Sequence, residues 1–491
     1  MKPDAARDAN EASPGDHPAE HTALDRLAER IRRDLDVLDY PRRQWLDPRR
    51  TSAGQPIHDV VVVGGGQGGL AAAFALMRER VPNVLVVDEN PLGKAGPWLR
   101  FARMQTLRTP KHLTGPDLGI PSLTLRAWWE AQHGQASWSA VGCIPKEAWA
   151  AYLTFYRETL GIPLRAETRV GALRWDAREN AWRVPCSSAD AARRPAADVI
   201  FARRVVLATG IDGSGTWYLP AQIRESLPEH LYAHTSADIN FAALAGKRVA
   251  VLGAGASAFD NAATALEHGA RAVDLFFRRE TLVKVNAYRW AESAGFLRHF
   301  ADLPDDAKWR FMVQIMKMGQ LPPAETYRRA SRNPAFRMHP GAAWRSIDAR
   351  GGAIRIETDG GELECDFVIA ATGFVTDLAK RPELQAIEGA IARWSDRYTP
   401  PPGERHEDLL RHPYLGPSFE FTERQPGTAP YLAHVFNYTF GGLLSLGLGG
   451  ASISGMKHSI PRLIAGITRS LFVEDSDAHF ESLCTYAEEE I

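Results

Sequence analysis

The sequence predicts an α/β protein made of two doubly wound, mostly parallel sheets, the second domain inserted into a discontinuous first. Three observations carry this. A buried strand of valines, Val60 to Val63, runs into the glycine-rich turn Gly64 to Gly69, then an Ala-rich helix from about Leu70 to Met77 and a second strand, Val84 to Val87. The same order restarts at Lys247, with strand Arg248 to Leu252, the turn Gly253 to Ala258, a helix to about Glu267 and a strand Val273 to Phe277. Two near copies of one turn, Ala208-Thr209-Gly210 and Ala371-Thr372-Gly373, each follow an apolar strand and mark the crossings between domains. The predicted division is 55–212 plus 366–491 for the first domain and 213–365 for the second, with 283–344 as an aromatic and methionine-rich segment that is either a substrate cap or plain core.

Ahead of the first strand, residues 1–20 lack any apolar period and are expected to be disordered, and 21–54 form a helical extension. Leu24, Leu27, Ala28, Ile31, Leu35 and Leu38 recur at helical spacing, Thr22 with Asp25 offers a capping start, and Pro41 ends the pattern. This helix either docks on the body or forms a contact in a homodimer.

Charge excludes some functions. Lys plus Arg number 58 and Asp plus Glu 59, so there is no basic surplus for nucleic acid or an anionic membrane, and the expected partners are small molecules. The four cysteines (Cys143, Cys186, Cys365, Cys484) never form Cys-x-x-Cys, which argues against a dithiol reductase, a disulfide framework or a zinc site. With no long apolar run and no export signal, the expectation is a soluble cytoplasmic protein.

The first turn has the context that a dinucleotide fingerprint requires. Gly64 permits the sharp turn, Gly66 lets the backbone approach a pyrophosphate, Gly69 allows helix to pack on strand, and the helix N-terminus supplies a positive dipole end. Gln67 and Gly68 complete the loop. Asp88 lies at the end of the following strand, placed to accept hydrogen bonds from an adenosine ribose, with Glu89 as the alternative acceptor. The motif alone does not tell FAD from NAD. In the second turn, Gly253 and Gly255 hold the first two glycine positions and are followed by Ala256, Ser257 and Ala258. Counting the same 24 residues from Gly253 as separate Gly64 from Asp88 reaches Phe277, then Arg278 and Arg279. Guanidinium groups there suit a 2′-phosphate, which favours NADPH while leaving NADH use open. Two such sites make chemical sense when one holds a flavin and the other a nicotinamide that reduces it.

From about residue 57 to 470 the chain resembles the class B flavoprotein monooxygenases: flavin-containing monooxygenases, Baeyer–Villiger monooxygenases and N-hydroxylases. The resemblance rests on both glycine loops, Gly96-Pro97-Trp98, Leu107 to Lys111 and the two Ala-Thr-Gly turns. It implies two Rossmann-like dinucleotide-binding domains, the NADPH domain inserted into the FAD domain. It also implies a flavin C4a-(hydro)peroxide and insertion of one oxygen atom from O2 into a small organic substrate, at nitrogen or sulfur or beside a ketone. The cofactor contacts it implies include Trp98, Ala208, Thr209, Gly210 and Gly373, with Leu107, Thr109 and Lys111 close to the flavin ring and the last flavin contacts at Gly449 and Gly450 near the C-terminus. Arg279 matches the arginine that Baeyer–Villiger enzymes place at this strand end, and Arg108 is the second candidate catalytic cation, at a position where flavin-containing monooxygenases usually show an asparagine. The Baeyer–Villiger pattern Phe-x-Gly-x-x-x-His is not met: Pro228 and His230 stand in its first positions, leaving His234 as a linker residue or a stand-in. A flavin reductase that passes electrons to a partner or quinone without oxygen transfer is the competing function.

Overall fold

A computed structural model describes residues 22–41, 43–113, 115–189, 198–450 and 452–491. The expected tail at 1–20 lies outside the described residues. The extension helix forms as Ala23–Val37, started by a capping box in which the Asp25 amide donates to the Thr22 hydroxyl (3.1 Å) and the Thr22 amide to the Asp25 carboxylate (2.9 Å). Leu27 and Ile31 are buried in the main core, so the helix docks on its own body, near helix Leu125–His133.

The first sheet has a parallel centre. Strand Pro56–Val63 lies between Val84–Val87 and Asp198–Leu207, both parallel to it, because the valine run is buried on both faces. An antiparallel extension, Ala181–Ser188 with Thr168–Val170 and Arg174–Asp176, widens one side, and Val435–Asn437 returns from the C-terminal segment to pair with Val205–Leu207. Helix Gln67–Arg78 covers one face and packs against the long C-terminal helix Met456–Glu474. Pro461 lies in an exposed position early in that helix and does not interrupt it.

The second sheet is fully parallel, with Phe367–Ala370 between Tyr232–His234 and Arg248–Leu252, then Ala272–Phe277 and Phe336–Pro340. This corrects the predicted division at 366. Phe367–Ala370 is hydrogen-bonded to Arg248–Leu252, so it belongs to the second domain, and the chain leaves that domain only after Gly373. The physical reason is pairing: an apolar strand in a parallel sheet must fill its place in the ladder before the chain can depart. The crossings themselves form a two-stranded ribbon, Gly215–Trp217 against Phe374–Thr376.

The 283–344 segment divides its roles. Its helices Ala287–Ala291, Ala294–His299 and Asp305–Met318, with the turn Phe300–Asp302, bury Ala287, Phe300, Trp309 and Met312 against Trp394, Leu443 and Leu444 of the first domain, whereas Trp290 and Phe311 remain exposed. It is thus a bridge from the second domain onto the C-terminal part of the first. No helix among the described residues is long and apolar enough to cross a membrane.

Candidate active site

Each glycine loop is built as its spacing demands. Gly64 has φ +110°, a conformation that disfavours any Cβ, and a Cβ there would lie 2.4 Å from the Ala208 carbonyl oxygen. Gly253 has φ +132°, and its Cβ would lie 2.3 Å from the Ala371 carbonyl oxygen. The two Ala-Thr-Gly turns therefore serve different loops: Ala208 packs on the first and Ala371 on the second. That placement puts Gly373, like its strand, with the second domain.

The middle glycines face open space. A Cβ built on Gly66 or on Gly255 meets nothing within 4 Å, and each is the N-cap of its helix without a side-chain cap. The first amides of both helices are thus left for an anion on the open side of the turn, which fits a dinucleotide pyrophosphate at each loop. Gln67 is oriented by Trp149, whose indole N–H donates to its Oε1 (3.1 Å), and Trp149 also packs edge-on against Trp98. Gly68 lies against the Tyr438 ring and the Gly450 carbonyl, which brings the C-terminal glycine segment to the start of the first helix. Gly450 is itself confined, its would-be Cβ 2.2 Å from the Thr439 oxygen, and Gly449 abuts Phe419 and Ser459.

Asp88 stands at the first loop. Its carboxylate accepts from the Gly65 amide (2.6 Å) and from the backbone and side chain of Asn90 (2.7 and 2.8 Å), next to an open cleft that Gly93, Ala95, Ala150 and Thr154 also line. Glu89 turns outward to Arg169 instead. At the second loop, Ser257, Arg278 and Arg279 are exposed. Arg278 has no hydrogen bond or ion pair among the described residues. Arg279 donates from both terminal nitrogens to the Lys317 carbonyl (3.2 Å each), capping the C-terminal end of helix Asp305–Met318.

The segment Leu107 to Lys111 is fixed at both ends. The buried Leu107 gives its amide to the Ile144 carbonyl (2.7 Å), and Lys111 donates to the Trp138 and Val141 carbonyls (2.7 and 2.6 Å) over the Trp138 ring. Thr109 is half-buried. Arg108, the second candidate catalytic cation, donates to Asp260 Oδ2 (3.0 Å) on the helix of the second loop. The Thr209 hydroxyl is buried without a partner among the described residues and would touch any Cβ at Gly213.

Sequence reasoning missed several of these groups. Asp260 is nearly inaccessible, and its signal was legible as an acid within the Ala-rich run Ala256 to Leu266, where only Asn261 beside it is also a buried polar residue. The buried network Ser214–Asn437–Thr439 left no pattern, because its members meet only through the fold; the Thr439 hydroxyl donates to Asn437 Oδ1 (2.9 Å) and Asn437 Nδ2 to Ser214 (2.9 Å). His234 sits beside the crossing ribbon, with Nδ1 on the Ser236 hydroxyl (2.8 Å) and its ring by Trp217, and burial pushes its pKa down to about 4.

Two sheets with parallel centres, each running into an uncapped glycine loop, one followed by a carboxylate and the other by arginines, fit an oxidoreductase that binds a flavin and a nicotinamide dinucleotide. Comparison with known proteins agrees. The family described as FAD-NAD(P)-binding matches residues 61–212, and the family described as L-lysine 6-monooxygenase/L-ornithine 5-monooxygenase matches residues 140–318. An FAD-dependent urate hydroxylase of Xanthomonas campestris pv. campestris is 44% identical over 468 residues, 95% of this chain and 97% of the relative. The fold is shared with the ornithine hydroxylase of Pseudomonas aeruginosa (TM-score 0.65, 14% identity, 84% of this chain and 100% of that one). It is shared too with the ornithine N-hydroxylase of Kutzneria sp. 744 (TM-score 0.64, 16% identity, 84% and 100%). The chain belongs to the class B flavoprotein monooxygenases, in one family with that urate hydroxylase. It is an enzyme, an FAD-dependent monooxygenase that draws on a nicotinamide dinucleotide.

Proposed function

We propose that the chain is an NADPH- and O2-dependent FAD monooxygenase that hydroxylates urate or a closely related oxidised purine. The 44% identity to the Xanthomonas relative across nearly the full length of both chains carries this reading. In it, Gly64 to Gly69 with Asp88, joined by Gly449 and Gly450 at the start of the first helix, would hold FAD, and Gly253 to Ala258 with Arg278 would hold NADPH. Bound FAD supplies the chemistry of hydride acceptance and oxygen activation. The chain's own residues bind, orient and exclude water: the helical segment 287–318 walls the site on the side of Leu443 and Leu444, and Arg279 ties that wall to the end of the nicotinamide strand.

A second reading is N-hydroxylation of a primary amine, favoured by the lysine/ornithine monooxygenase family match at 140–318. Both are tested by one experiment. With NADPH, 18O2 and urate, the expected result is urate-dependent NADPH consumption, one NADPH per product, and one 18O atom in the product. Consumption stimulated by lysine, ornithine or a diamine instead of urate selects the second reading. NADPH oxidation that ends wholly in hydrogen peroxide with urate and with every amine sinks both substrate readings.

A further inference from the structure

Three residues of one short segment of the first domain cross to the second. The Arg103 guanidinium donates to the Ala237 carbonyl (3.3 Å), the Thr106 hydroxyl to Glu325 (3.2 Å), and Arg108 to Asp260 (3.0 Å). Asp260 is the focus of this seam. It is nearly inaccessible, lies five residues past Gly255 in the helix that opens the nicotinamide loop, and accepts from the Thr326 hydroxyl (2.9 Å) as well as facing Arg329 at 3.5 Å. Arg329 in turn clamps Glu267 at the other end of the same helix with two hydrogen bonds (3.0 and 2.8 Å).

Arg108 itself is held on either side, Leu107 by Ile144 and Lys111 by Trp138 and Val141. Its backbone therefore cannot follow the second domain; only its guanidinium reaches across. A buried carboxylate that loses one of its cations is left partly uncompensated, so the ion pair resists separation of the two surfaces.

We propose that Arg108 and Asp260 form a positioning pair that sets the nicotinamide loop in register with the first domain's Leu107 to Lys111 segment, so that hydride is delivered along a fixed path. The pair acts through the helix it holds and does not itself contact the reacting atoms. Charge matters here, and so does reach. Hydride transfer is steep in distance and angle, and a misplacement of about 1 Å costs on the order of 10²-fold in rate. The inference concerns flavin reduction and stands whether or not urate is the substrate.

The test uses the full chain with three substitutions, Arg108→Ala, Arg108→Lys and Asp260→Asn. In stopped flow under anaerobic conditions, Arg108→Ala is expected to lower the limiting rate of flavin reduction at saturating NADPH by roughly 10- to 100-fold, with FAD content retained and Arg108→Lys recovering part of the loss. In the FAD-loaded full chain without NADPH, hydrogen exchange of the crossing ribbon, Gly215–Trp217 and Phe374–Thr376, is expected to rise in Arg108→Ala and Asp260→Asn as the domains loosen. An unchanged limiting rate in Arg108→Ala overturns the proposal, and so does unchanged ribbon exchange in both neutral variants. If Arg108→Lys is as slow as Arg108→Ala while Asp260→Asn is normal, Arg108 acts by another route and the pair is rejected.

Discussion

Gly69 and Ala258 occupy the same register of the two loops, yet only one of them admits a side chain. A Cβ on Gly69 would lie 1.8 Å from the Gly64 oxygen, whereas the methyl of Ala258 is already seated in its core. Gly69→Ala is therefore expected to push the first helix off its strand, at a cost of about 1–3 kcal/mol. It should also lower the flavin-to-protein ratio of purified protein; full flavin content with an unchanged melt would refute the packing argument. Arg278 makes a complementary case. It is exposed and uncommitted, and hydrogen bonds to charged groups are worth about 1.5–3 kcal/mol, so Arg278→Ala should raise the Michaelis constant for NADPH roughly tenfold or more and leave that for NADH nearly unchanged. An equal rise for both cofactors would rule out the 2′-phosphate role. Both positions were readable from spacing, as the turn chemistry of glycine and the strand-end cation are local. The fate of Arg108 was not, because its partner Asp260 is 152 residues away.

Among the elements, the N-terminal helix shows what periodicity can and cannot say. Its span and its capping box follow from Thr22, Asp25 and the spacing of Leu24 to Leu38, but whether its apolar stripe met another subunit or its own body was open until Leu27 and Ile31 were seen in the main core. Thr22→Ala should cost about 1 kcal/mol, seen as faster hydrogen exchange in Ala23–Val37 with turnover unaltered; a turnover defect would mean the helix reaches the site. The strand Phe367–Ala370 went to the other sheet than expected for a related reason. Its four apolar residues suit a parallel strand in either domain, and only the ladder with Arg248–Leu252 decides which. The aromatic bridge 283–344 likewise is core where it meets Leu443 and Leu444 and open surface at Trp290 and Phe311.

At the scale of the whole molecule, a buried ion network fastens the C-terminal helix to the base of the first sheet. Arg203 reaches Asp59 (3.4 Å) and Asp475 (2.8 Å), Arg204 reaches Glu474 (2.7 Å), and Arg49 joins at Glu474 (2.7 Å). Despite the opposing effect of burial, the surrounding arginines hold the Glu474 carboxyl at about 2, well below its usual range. A depressed carboxyl stabilises the fold above its unfolded pKa of about 4.5 and loses that contribution as pH falls toward 2. His234 and His434 add to the acid side: burial lowers both to about 4, so the unfolded chain binds more protons as pH drops from about 6.5 toward 4. Thermal stability should thus fall in two overlapping windows on acidification, and Glu474→Gln should flatten the lower one. A wild-type melt that does not change between pH 6.5 and 3 would contradict both assignments.

The sequence by itself determined the two strand–glycine–helix units, their acidic and basic followers, and with them the need for two dinucleotides in one chain; all of these are short-range consequences of backbone sterics and charge at fixed spacing. Tertiary structure alone decided which sheet owns each Ala-Thr-Gly strand, which cations are free and which are spent, and how the two cradles are held in register. Those outcomes depend on groups more than a hundred residues apart, such as Arg108 with Asp260 and Ser214 with Asn437, whose meeting is fixed by sheet pairing and domain packing and leaves no periodic trace along the chain.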